Sequence, residues 1–67
     1  MYLKRLKELR ENLNLKQTDI TKILGIHQTV YSRYERGHQD IPLKHLVKLA
    51  DFYEVSLDYI FERTETK

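Results

Sequence analysis

A chain of 67 residues makes one domain, residues 1–67, and at that size it buries only about 60% of the surface its unfolded form exposes, so function must sit on the surface. With no cysteine there is no disulfide scaffold, and the three histidines lack metal-ligand spacing, so neither metal nor cofactor is implied. The net charge of +2 is unevenly spread: residues 1–48 hold ten Lys or Arg against five Asp or Glu, and residues 49–67 hold two against five, a basic body suited to a polyanion and an acidic tail suited to another role.

The chain opens on a charged amphipathic segment, Tyr2-Leu3-Lys4-Arg5, where a signal peptide needs an apolar run of about 7 to 15 residues. Nothing is long enough to span a membrane, and a soluble cytoplasmic protein is expected. Leu3, Leu6, Leu9 and Leu13 recur in steps that place one apolar stripe on a first helix. That helix should stop near Asn12 to Asn14, with Asn14 in the left-handed conformation that ends helices. A second helix begins at about Gln17 and buries Ile20, Ile23 and Leu24, and Gly25 supplies the positive φ that turns the chain.

The next segment, Gln28 to Arg36, sets Val30, Tyr31 and Tyr34 on one side and Gln28, Thr29, Ser32 and Arg33 on the other. Helical spacing with Val30 favours core packing for the two tyrosines over base stacking of the single-strand-binding kind. Gly37 ends this third helix, and Pro42 suits the first turn of a fourth, whose apolar side is Leu46, Val47, Leu49, Ala50 and Tyr53. After a break at Glu54-Val55, Ser56 caps a short fifth helix defined by Leu57, Ile60 and Phe61, with Asp58 in its first turn. Residues 63–67 should fray. Without repeats, linkers or strand patterns, the fold class is all-α, a compact five-helix domain.

The informative unit is a helix-turn-helix over about residues 17–36: a short helix, a tight turn at Gly25, and a second helix with hydrogen-bonding side chains at its start. Through KQTDITKILGI, YSRYERG and IPLKHLVKLADFYEVSLDYIF the chain resembles the lambda-repressor and Cro-like (XRE) helix-turn-helix regulators over nearly its whole length. The resemblance implies a lambda-repressor-like domain of bacterial or phage type, with the second motif helix in the DNA major groove, where its N-terminal side chains reach base edges. Gln28 and Thr29 occupy those positions; glutamine pairs bidentately with adenine, and threonine offers a hydroxyl and a methyl. Ser32 and Arg33 lie about one turn later on the same side.

Gln17 stands where the family presents an amide and a helix N-terminus to a phosphate. Lys16, Thr18, His27, Arg36, His38 and Lys44 flank the same surface as further phosphate contacts, although a solvated role is the commoner one for each. The family often has Ser or Thr where this chain has Lys16 and His27, and neither lysine nor histidine is a favoured N-cap. Relatives commonly join the positions of Arg10 and Glu35 by a salt bridge tying the first helix to the third, a structural role.

An enzyme is not expected. Ser32, His38 and Asp40 are near in sequence, but no nucleophile elbow, phosphate-binding glycine loop or metal motif frames them. The rival reading is a protein-interaction regulator, such as an antitoxin that binds a protein partner and represses its own operon. The resemblance implies a sequence-specific repressor that binds palindromic double-stranded DNA as a homodimer. Half-sites should lie about one helical turn, roughly 10 bp, apart, and the dimer surface should involve Leu57, Tyr59 and Phe61.

Overall fold

The computed structural model describes residues 1–67 and realises the apolar spacing as five helices and no strand. These are α1 (Lys4–Asn12), α2 (Gln17–Leu24), α3 (Gln28–Glu35), α4 (Leu43–Tyr53) and α5 (Leu57–Ile60). The five largest side chains that are fully buried, Leu6, Ile20, Tyr31, Leu49 and Ile60, come one from each helix. The four aliphatic ones each contribute about 1.5–3 kcal/mol of apolar burial, and with Tyr31 they pin every helix to one shared core by a central anchor. Leu3, Leu9, Leu24, Tyr34, Ile41, Leu46 and Ala50 complete that core.

Helix ends fall where backbone chemistry dictates. Asn14 has φ 57° and Gly25 φ 70°, both in the left-handed region that stops a helix. Glu54, with φ 56° and ψ 46°, caps α4 at a position that glycine would fill with less strain. Ser56 accepts a 2.9 Å hydrogen bond from the Tyr59 backbone N–H, the N-cap read from its sequence. Gly37, at φ 75°, lies so close to Tyr2 that an added Cβ would come within 3.0 Å of the tyrosine Cβ and 3.1 Å of its Cα.

Three expectations about helix-facing and capping residues are corrected, and a fourth about the tail. Leu13 lies past the end of α1 as its C-cap and is 55% exposed, because leaving the helix takes it off the apolar stripe. Pro42, at φ −60° and ψ 148°, is the extended N-cap of α4 and not its first helical residue. Val47 is exposed, as is Leu43 one turn before it, because the buried arc of α4 is narrower than its apolar composition suggests.

Residues beyond α5, expected to fray, lie back against the body. The Arg5 guanidinium donates to the carbonyls of Tyr59 and Thr64, both at 2.7 Å, and to the Glu65 carboxylate at 2.9 Å. The Ser56 backbone N–H donates to the Lys67 carbonyl.

Candidate nucleic-acid interface

The turn between α2 and α3 is closed by the backbone, with the Gly25 N–H donating to the Thr21 carbonyl at 2.7 Å and the Ile26 N–H reaching the same oxygen at 3.2 Å. Ile20, Leu24 and Tyr31 then pack in the common core and fix the two helices against each other. Their N-caps are Lys16 and His27, and neither side chain caps its helix. Lysine has no side-chain acceptor, so only half of a capping box is open to Lys16. That half is made, because the Asp19 carboxylate accepts from the Lys16 backbone N–H at 2.8 Å.

Gln28, Thr29 and Arg33 are exposed on the outer side of α3 and Ser32 is half-exposed, while Tyr31 and Tyr34 face inward. The tyrosine rings pack edge to face with centroids 6.4 Å apart. Buried at 0% and 6% exposure, they have no face open to a base. The polar and apolar sides read from the sequence are therefore separated as the helical period requires.

Beneath the outer side runs a polar chain, buried at its Arg10–Glu35 root and exposed at its Gln28 end. Arg10 engages Glu35 through two bonds, Nε to Oε2 at 2.7 Å and Nη2 to Oε1 at 3.0 Å, while its Nη1 donates to the Leu15 carbonyl at 2.8 Å. The bidentate geometry satisfies a carboxylate that is only 2% exposed. Gln17 Nε2 donates to Glu35 Oε1 at 3.1 Å, and Gln28 Nε2 donates to Gln17 Oε1 at 3.4 Å. A chain of partners thus runs from the ion pair at the core to the amide at the start of α3. The Glu35 contact consumes an N–H of Gln17, which orients the Gln17 oxygen toward Gln28. Gln28 retains one N–H and its carbonyl oxygen, the donor and acceptor that a bidentate adenine contact needs.

Electrostatics keep this chain charged at its root. Burial by itself would raise the Glu35 carboxyl, but the hydrogen bond from Arg10, aided by Tyr31, Gln17 and the Arg10 charge, outweighs it and leaves the group below its ordinary value. The same bond raises Arg10 against the opposing effect of its own burial. Burial, reinforced by the Glu35 charge, raises the Tyr31 and Tyr53 phenols.

The residues read as phosphate contacts do not form one cluster. Gln17, Arg36 and His38 line an open groove between α1 and α3, shared with Ser32 and the Arg10–Glu35 pair. Lys16, Thr18, His27 and Lys44 are exposed outside it. Lys7 and Tyr2 line the groove as well, and nothing in the sequence pattern separates Lys7 from the other basic residues of α1.

Around α5, Leu57, Tyr59 and Phe61 are all half-buried against the core. The Tyr59 ring lies under the Arg5 guanidinium, 4.1 Å from its centroid, a cation–π contact within the chain itself. Arg5 is buried at 7% exposure, and no apolar periodicity could have announced that.

Five short helices around one core, with a tight α2–α3 turn and polar side chains at the start of α3, define a small helix-turn-helix domain. The helix-turn-helix family matches residues 6–60, and the chain belongs to it, in its lambda-repressor and Cro-like (XRE) branch. That family is regulatory and not enzymatic.

Among curated proteins, the chain is 38% identical over 97% of its length to YobD, an uncharacterized HTH-type transcriptional regulator of Bacillus subtilis (strain 168). It is 37% identical over 92% to the HTH-type transcriptional regulator ImmR of the same organism. It is 30% identical over 98% to the cryptic phage CTXphi transcriptional repressor RstR of Vibrio cholerae. The chain spans 58%, 49% and 60% of these relatives. No solved structure matches it. No helix is long and apolar enough to cross a membrane.

Proposed function

We propose that this domain is the DNA-reading part of a cytoplasmic transcriptional repressor, which inserts α3 into the major groove and binds a palindromic operator as a homodimer. The observation that carries the reading is the exposed Gln28 amide at the start of α3, whose Nε2 lies 3.4 Å from the oxygen of Gln17, itself bonded to the buried Glu35. Side chains at the start of the second motif helix are the ones that reach base edges, and a free N–H and carbonyl oxygen there match the edge of adenine. Family membership and a relative named as a phage repressor support the same conclusion.

In this reading Gln28 and Thr29 contact bases first, Ser32 and Arg33 contact them one turn later, and Gln17, Lys16, Thr18, His27, Arg36, His38 and Lys44 contact phosphates. Dimer contacts form around α5 with Leu57, Tyr59 and Phe61, and the operator half-sites lie about one helical turn apart.

The test is fluorescence anisotropy on duplexes selected from a randomised library, at two salt concentrations, with the wild type and the Gln28→Ala, Thr29→Ala double variant. The expected result is a palindromic motif for the wild type, and a variant that loses the preference but keeps salt-sensitive background binding. If no duplex is preferred at any salt, specific DNA recognition by this chain is wrong and a protein partner takes its place.

A further inference from the structure

Four cationic side chains project from α1: Lys4, Arg5, Lys7 and Arg10. Three of them are engaged within the fold. Arg10 is paired with Glu35, Arg5 with Glu65 and two carbonyls, and Lys4 with Glu62 at 3.5 Å. Lys7 is exposed, has no acidic partner among the ion pairs, and lines the groove between α1 and α3 together with Arg36 and His38.

The Arg10–Glu35 pair within the groove is internally neutral, so Lys7 and Arg36 against Glu11 leave the lining with a small positive excess. Glu11, also lining the groove, is the one carboxylate there left without a partner. Tyr2 closes one end, its backbone held against Gly37 with the side chain largely in solvent.

We propose that this groove seats a backbone phosphate of the DNA flanking the bases read by α3, with Lys7 and Tyr2 as its ligands on the α1 side. The proposal rests on the DNA-reading function above. Lysine serves phosphates as a point charge, and tyrosine hydroxyls are among the groups that bond phosphate oxygens. The groove also contains Gln17 and Ser32, so a phosphate seated there is continuous with the surface that meets bases. A free phosphate gains only exposed, salt-screened cations. A phosphate of a duplex already docked on α3 arrives with its ordering cost largely met.

The test uses the full chain, the duplex recovered by selection and one unrelated duplex, across a salt series. Lys7→Ala is expected to weaken both duplexes about five- to tenfold at 0.1 M salt and to make the slope of log K against log salt shallower by about one. The preferred sequence stays unchanged. Lys7→Arg restores the slope, Tyr2→Phe weakens binding less than Lys7→Ala, and Glu11→Gln tightens it, a gain that a purely structural role for these positions does not produce. Circular dichroism confirms that each variant folds.

An unchanged slope in Lys7→Ala, with wild-type binding intact, overturns this proposal alone, as does an altered base preference. Inorganic phosphate, compared with chloride at equal ionic strength, distinguishes the other source of the same chemistry. A saturable shift of the Lys7 and His38 NMR signals would assign the groove to a free anion and overturn the proposal. A wild type that binds no duplex overturns the proposed function and this inference together.

Discussion

Arg5 and Arg10 stand on the same helix, both nearly buried, and their surroundings differ in one decisive respect. Arg10 faces a carboxylate whose side chain is 2% exposed, whereas Arg5 faces one that is 91% exposed. In the first case two charges have left water together and each depends on the other. In the second the guanidinium is satisfied chiefly by two carbonyls and the Tyr59 ring, and the carboxylate opposite is still hydrated. The hydrogen bonds are nearly equal in length, so bond length does not measure what a pair contributes. The measure is what remains buried and unpaired once one partner is removed.

The largest effect is expected at Glu35. Glu35→Ala strands the Arg10 charge and costs about 3 to 5 kcal/mol. A domain of this size has roughly 0.05–0.15 kcal/mol of stability per residue in total, so the loss is a large share of the whole, and thermal unfolding should show a melting temperature lowered by more than about 10 °C. If its melting temperature falls by only a few degrees, the pair is not buried as described.

The same pair predicts an acid limb. Because the folded state holds the Glu35 carboxyl below its ordinary 4.5, the pair's contribution is fully present above that value. It is lost as pH falls through the lower folded value. Urea titrations between pH 6 and pH 3 should show stability falling in the wild type, and a shallower fall in a Glu35→Gln, Arg10→Met double variant.

Next comes Arg5→Ala, which removes the bonds that hold residues 59–65 and uncovers Tyr59. It should cost about 2 kcal/mol and raise amide exchange in the tail while leaving α3 protected. The smallest effect belongs to Glu65→Ala, about 0 to 1 kcal/mol, because its partner keeps the two carbonyls. A loss at Glu65 as large as that at Glu35 would erase the contrast between the two arginines.

Much of the fold was legible because helical periodicity and turn chemistry act locally. The stripe Leu3, Leu6 and Leu9, the stops at Asn14 and Gly25, and the Ser56 cap follow from single residues and their nearest neighbours, and all are realised. Leu13 and Val47 were misread for one reason, since apolar character does not say where a helix ends or how wide its buried arc is.

Family likeness, not spacing, indicated the pairing of Arg10 with Glu35, because residues 25 apart leave no periodic trace. The role of Arg5 left none either. Its partners are mostly backbone carbonyls, which every residue carries, so composition cannot mark them.

By itself the sequence determined the helices, the polar outer side of α3 and the residues at its start, because a 3.6-residue period sorts side chains before any tertiary contact exists. Only the tertiary structure decided which of the basic residues on α1 are bound into the fold and which one is left to face a groove. Charge is written in the sequence, but whether a charge is matched depends on what the chain brings beside it.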